Sequence, residues 1–185
     1  MGKNFCEGAR RYVHDIRGDA APRILEQFLV ARRLVEAGVR VVTVAFSFWD
    51  WHGNNYGNAR SDMPMFDQGV SALIRDLHDR GLDKDVAVCA WGEFGRTPKI
   101  NKNAGRDHWP WVYSLALAGA GIRPGTVYGA SDNSAAYPAE KPHDPKDFAA
   151  TLYHLLGVDP ETVLYDSIDR PHRLVLGKPI AGILV

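Results

Sequence analysis

At 185 residues the chain has the length of one domain and enough material to bury a sizeable core. Its 22 basic and 22 acidic residues cancel, which argues against a non-specific nucleic-acid or anionic-membrane binder, since such binding draws on excess positive charge. Two cysteines do not make a disulfide framework, and no apolar run is long enough to span a bilayer.

Residues Met1–Ala21 are polar without a clear period and read as an amino-terminal arm, with a short helix around Phe5–Ile16. They lack the apolar centre of a secretory signal, so the chain as written reads as cytoplasmic. Residues 22–185 read as one α/β domain. Pro22 suits the start of a helix. Ile24, Leu25, Phe28, Leu29, Leu34 and Val35 supply its apolar stripe and Gly38 its end. Val39–Phe46 is β-branched and apolar, the composition of a buried strand. The loop Ser47–Asn58 (SFWDWHGNNYGN) follows, and then a second helix over Pro64–Arg80, closed by Gly81.

Asp85–Trp91 reads as a second buried strand and Val112–Ala118 as a third. Between them runs the long loop Gly92–Trp109 (GEFGRTPKINKNAGRDHW), and loops of this length are usually functional or disordered. Thr126–Gly129 reads as a short edge strand and Ser131–Asp144 as a surface loop. Pro145–Leu156 reads as a third helix closed by Gly157, and Asp159–Val185 as a tail packed on the sheet edge. Strands joined through helices are usually parallel, with right-handed crossovers. The expected fold is therefore a layered α/β structure with a mainly parallel sheet flanked by helices. In such a sheet the loops Ser47–Asn58 and Gly92–Trp109 leave carboxyl ends of strands, where ligands bind.

These two loops carry the candidate site. Asp50 and His52 are two apart, so in extended backbone they point the same way. With His108 they offer a carboxylate and two imidazoles, a set that suits zinc or a similar divalent ion and leaves a position open. Asp107 reads as a partner that orients His108 or as a loop cap. Glu93 is a candidate for a second metal or for a general base, and also for a structural pairing with Arg96. Arg96 and Arg106 are the best candidates for contact with a phosphate or sulfate group, because the guanidinium fork matches its oxygens. Asn54 can donate to a substrate, although turn formation explains it equally well. The pairs Trp49/Trp51 and Trp109/Trp111 also suit anchors of a protein interface.

The runs ARRLVEAGVR, WDWHGNN, GEFGRTPKINKNAGRDHWP and RPHRLVLGKPI closely resemble the bacterial family termed domain of unknown function 1501, from about Arg23 to the end. That family in turn resembles a branch of the alkaline phosphatase–sulfatase superfamily, in which two metals flank a phosphate or sulfate ester. The resemblance implies an alkaline-phosphatase-like α/β fold and hydrolysis of a small or polymeric oxyanion ester. It also implies a divalent metal, zinc first and manganese or calcium next, on Asp50, His52, Glu93 and His108. Glu93-Phe94 falls where an Asp-His pair usually serves, and Phe94 cannot ligate a metal. The family's longer members imply that this chain corresponds to a carboxyl-terminal half, with the nucleophile and an export signal in an amino-terminal half. Three outcomes are therefore open: a metal-dependent ester hydrolase, a non-catalytic domain that keeps an anion or metal site and binds a partner or polymer, the missing half included, or a metal-free chain whose aromatic loops form a protein interface.

Overall fold

The computed structural model of the chain describes residues 21–185. The expected amino-terminal helix lies outside the described residues. Two compact units are distinguished: residues up to Leu82 together with Arg96–Trp109, and Asp83–Gly95 together with Pro110–Val185.

The first unit is built on two helices, α1 (Glu26–Glu36) and α2 (Asn55–Asp79). They meet where Gly69 of α2 leaves room for the ring of Phe28. Leu25, Phe28 and Phe46 form the buried cluster, with Val44, Trp49, Met65, Phe66, Val70 and Leu73 packed on it. Arg32 of α1 reaches Asp76 of α2 at 2.8 Å and closes the far end of the helix pair. The expected second helix begins nine residues early, because Asn55–Met63 is also helical and Pro64 lies inside α2. An internal proline removes one backbone hydrogen bond. Here Asp62, two turns into the added segment, is buried and held by Arg23 at 2.6 Å and by the Ser47 hydroxyl. The first helix likewise starts at Glu26 rather than Pro22.

In the second unit β1 (Val88–Ala90) pairs antiparallel with β4 (Ala116–Ala118), Cys89 opposite Leu117. Within the long loop, whose residues Arg96–Trp109 belong to the first unit, β2 (Gly95–Arg96) pairs with β3 (His108–Trp109). Two antiparallel hairpins follow, β5 (Ala130–Ser131) with β6 (Pro138–Glu140) and β7 (Val163–Tyr165) with β8 (Pro171–Arg173). Helix α3 (Pro145–Leu155) lies between them, and a 3-10 turn, Ala181–Ile183, ends the chain. The buried Thr151 of α3 ties the tail down: its hydroxyl donates to the Asp147 carbonyl at 2.7 Å and accepts from the Ile180 N–H at 2.9 Å.

The layered α/β fold with a mainly parallel sheet, and with it the alkaline-phosphatase-like architecture, is thus corrected. The described residues form three α-helices and only small two-stranded sheets, antiparallel wherever their register is defined. Two physical reasons account for the difference. Parallel pairing needs a crossover, usually helical, and no helix connects β1 to β4, so the chain returns antiparallel. Val39–Phe46 joins no strand among the described residues: Val44 and Phe46 pack onto the helices while Val41 is exposed. Side-chain burial holds this segment without a ladder. The remaining strand expectations shift too. Thr126–Gly129 is not a strand, and the expected loop Ser131–Asp144 contains β6. No helix among the described residues is long and apolar enough to cross a membrane.

Candidate metal centre

The aromatic run before α2 holds one side of the site. Ser47 takes a left-handed backbone conformation (φ 61°) and anchors on Asp62. Trp49 then packs between Phe66, edge-on at 5.3 Å, and Trp51, also at 5.3 Å. The chain continues in two successive three-residue turns: Trp51 N–H donates to the Trp49 carbonyl and His52 N–H to the Asp50 carbonyl, both at 3.0 Å. Trp51 is buried in this ribbon, and the side chains before and after it, Asp50 and His52, meet on the other side.

The long loop supplies the other side. It is sewn to the first along its length. Asn54 and Asn55 N–H groups donate to the carbonyls of Asn103 and Ala104, and Arg106 N–H donates to the Trp51 carbonyl. The approach is so close that a Cβ on Gly105 would stand 2.0 Å from the carbonyl carbon and oxygen of His52. Thr97 N–H donates to the Asp107 carbonyl, and Asp107 N–H to the Thr97 hydroxyl, which brings His108 back beside Arg96.

Three donor atoms converge at this seam. Asp50 Oδ1 lies 3.0 Å from His52 Nε2 and 2.8 Å from His108 Nε2, and the two Nε2 atoms are 3.2 Å apart. Zinc bonds of about 2.0–2.1 Å in tetrahedral geometry separate neighbouring ligand atoms by about 3.3 Å, so the triangle is close to one face of a zinc tetrahedron. The three side chains are 38%, 45% and 49% exposed, which leaves the fourth direction open to solvent. Among the described residues the candidate metal-binding group consists of Asp50, His52 and His108.

The electrostatics follow from these contacts. Burial works against the Asp50 carboxylate, but the hydrogen bond from His108 and the charges of His52, Arg96 and His108 outweigh it and hold its pKa below the ordinary value. The His52 pKa is raised, first by its hydrogen bond to Asp107, against a burial cost, and further by the charges of Asp50 and Asp107. The Asp107 pKa is lowered by the same bond and by a hydrogen bond from Asn101.

The other candidates are placed as follows. Arg96 Nη2 stands 3.2 Å from Asp50 Oδ1, on the rim of the triangle. Arg106 turns the other way, donating to the Thr97 and Pro98 carbonyls at 2.6 and 2.8 Å. Asn54 has a left-handed backbone (φ 46°) and precedes the first turn of α2, where its side chain lies against Gly57. Glu93 belongs to the second unit and is not part of the triangle. Asp107 meets His52, at 2.9 Å from Nδ1. Asn101 was not singled out in the sequence, yet its side chain makes four hydrogen bonds in the seam. The run Asn101–Gly105 was a usable signal, since an Asn ahead of a glycine turn often bonds backbone N–H groups two residues on.

The chain belongs to the family described as protein of unknown function DUF1501, whose model matches residues 7–184. No curated protein and no solved structure matches it.

Proposed function

We propose that Asp50, His52 and His108 hold a divalent cation, with zinc the best fit, and that the centre serves hydrolysis of phosphate or sulfate esters. The observation that supports this most directly is the triangle of Oδ1 and two Nε2 atoms with edges of 2.8–3.2 Å. An Asp–His–His set with one face open is the donor composition of a catalytic rather than a closed structural zinc site. When bound, such a cation supplies Lewis acidity at an ester oxygen and stabilises charge on it. Arg96, beside Asp50, is the residue we assign to the oxyanion, which its guanidinium fork suits as it suits a carboxylate. The resemblance to alkaline phosphatases and sulfatases, carried by the motifs around these residues, is the ground for naming ester hydrolysis.

A second reading is favoured by one observation. Glu93-Phe94 presents an apolar ring where the resemblance implies a ligand for a second metal. On this reading the chain binds a metal and an anion or a partner without turnover.

Elemental analysis of the purified chain, beside Asp50→Ala/His108→Ala, tests the centre. Stoichiometric zinc in the parent and its loss from a folded double variant are expected. A folded parent that takes up no zinc, manganese or calcium sinks both readings. Release of phenol from aryl phosphates or aryl sulfates by the zinc-loaded chain then separates the hydrolase from the binding domain.

A further inference from the structure

The side chain of Asn101 lies behind the metal triangle rather than in it, and its four bonds have a direction. Its Oδ1 accepts from the N–H groups of Asn103 and Gly105, both at 2.9 Å. Those two bonds fix which end of the amide faces the site. Its Nδ2 therefore points at the opposite loop, donating to the His52 carbonyl at 3.1 Å and to Asp107 Oδ1 at 3.0 Å. The same Asp107 oxygen receives His52 Nδ1 at 2.9 Å. One amide thus holds both the backbone of His52 and the carboxylate against its ring.

From this geometry we infer that Asn101 is a positioning residue: it sets Asp107 to accept the Nδ1 proton of His52, so that His52 offers Nε2 as an unprotonated donor to the cation. The inference rests on the metal reading above and adds to it the control of one ligand's tautomer. The chemistry requires such control. A neutral imidazole carries one proton, and only the nitrogen without it can ligate; which nitrogen that is depends on the bond the other makes. With Nδ1 bonded to Asp107, Nε2 faces Asp50 Oδ1 at 3.0 Å, inside the triangle. Carboxylates behind ligating histidines fix ring orientation in this way, and their loss typically weakens metal binding about 10- to 100-fold. Asn101 acts one step further out. An isosteric carboxylate there keeps an acceptor for the two N–H groups but turns an oxygen toward the Asp107 carboxylate and the His52 carbonyl.

The test uses Asn101→Asp in the full chain, with zinc as the probe and nitrogen NMR of the imidazoles as the second readout. A zinc dissociation constant raised roughly 10-fold or more, with the far-UV circular dichroism of the parent, is expected. In the metal-free parent at alkaline pH, where His52 is neutral, the proton is expected on Nδ1; in Asn101→Asp this preference weakens. The parent measurement holds the inference to account even if the variant does not fold, because a parent His52 with its proton on Nε2 overturns it. Unchanged zinc affinity in a folded Asn101→Asp overturns it as well. A parent that binds no zinc but keeps the Nδ1 proton would remove the metal reading while leaving the tautomer control in place.

Discussion

The Nε2 atoms of His52 and His108 stand 3.2 Å apart. Two imidazole nitrogens this close need a proton or a cation between their lone pairs, and both also face Asp50 Oδ1. The His52 pKa is raised above its ordinary 6.5, chiefly through Asp107, so its stabilising effect is complete below about 6.5 and is lost as pH rises through the raised value. Asp50 and Asp107 have pKa values lowered from 3.8, so their contribution is present above that value and fades as pH falls through the lowered ones. Zinc held at these nitrogens would compete with the protons, and its binding would release them. The gain in melting temperature on adding zinc is therefore expected to grow from about pH 5 to about pH 8, where histidine titrates. A gain that is flat or falls with pH would show that the histidine nitrogens do not hold the ion.

Gly105 decides whether the two loops can meet at all. A Cβ there would stand 2.0 Å from the His52 carbonyl carbon and oxygen and 2.4 Å from the Gly53 nitrogen, all backbone atoms that cannot swing aside. Gly105→Ala is expected to part the seam, at a cost of about 1–3 kcal/mol from overpacking. His108 and His52 then no longer share one point, so zinc binding should fall with stability. Urea unfolding and zinc titration on the same variant check this. A variant that keeps both unchanged would mean the loops are not locked as described.

How much of this could be read from the sequence differs between elements. The helices α1 and α3 were legible, since a 3.6-residue apolar stripe and a closing glycine are local features; Gly38 and Gly157 indeed take positive φ values of 94° and 72°. The sheet was not. A β-branched run states that a segment is extended and apolar, but its partner is a tertiary choice, and Val39–Phe46 was satisfied by packing on Leu25 and Phe28. The start of α2, expected at Pro64, was misplaced in the same way: Asn55–Met63 is helical too, and Asp62 within it is anchored on Arg23. At the site, Asp50, His52 and His108 stood out by chemical type. The parallel sheet expected to bring their loops together was the wrong reason for that proximity. The seam itself, with Asn101 at its centre, depends on loop-to-loop bonds that no spacing rule encodes.

Phe28 and Gly69 make the helix contact on which the site's unit is built. A Cβ on Gly69 would lie 2.3 Å from the Phe28 ring, while Phe28 itself is only 5% exposed. Phe28→Ala should cost about 3–5 kcal/mol by leaving a cavity. Gly69→Ala should destabilise despite the better helix propensity of alanine, because the ring has no room to yield. Pairing Gly69→Ala with Phe28→Leu should recover part of the loss. Denaturant midpoints of these variants and of Phe28→Leu alone check this, and simple additivity of Gly69→Ala and Phe28→Leu would count against direct contact.

Thr151 offers a test in the second unit that is independent of any metal. Its side chain is fully buried, donates to the Asp147 carbonyl and accepts from the Ile180 N–H. Thr151→Val keeps the shape but leaves the Ile180 N–H without its acceptor, a loss of about 1–3 kcal/mol. Hydrogen exchange at Ile180 should accelerate with it, while any zinc affinity at the proposed site in the first unit should not change. Slow exchange at Ile180 in a folded variant would show that the threonine does not fasten the tail.

Arg96 separates binding of the cation from work on a substrate. Its guanidinium stands 3.2 Å from Asp50 Oδ1 but is not one of the three donors. Arg96→Lys keeps a positive charge near Asp50 and removes the flat fork that matches an oxyanion. Zinc stoichiometry is therefore expected to survive the change. If the centre hydrolyses esters, removing a donor aimed at developing charge should lower kcat/KM by about 100-fold, with the larger part in kcat if the fork grips the transition state more tightly than the substrate. Steady-state kinetics on an aryl phosphate and an aryl sulfate, with metal content measured on the same preparations, decide the matter. Loss of zinc together with activity would make Arg96 a support for Asp50 rather than a group that meets the ester.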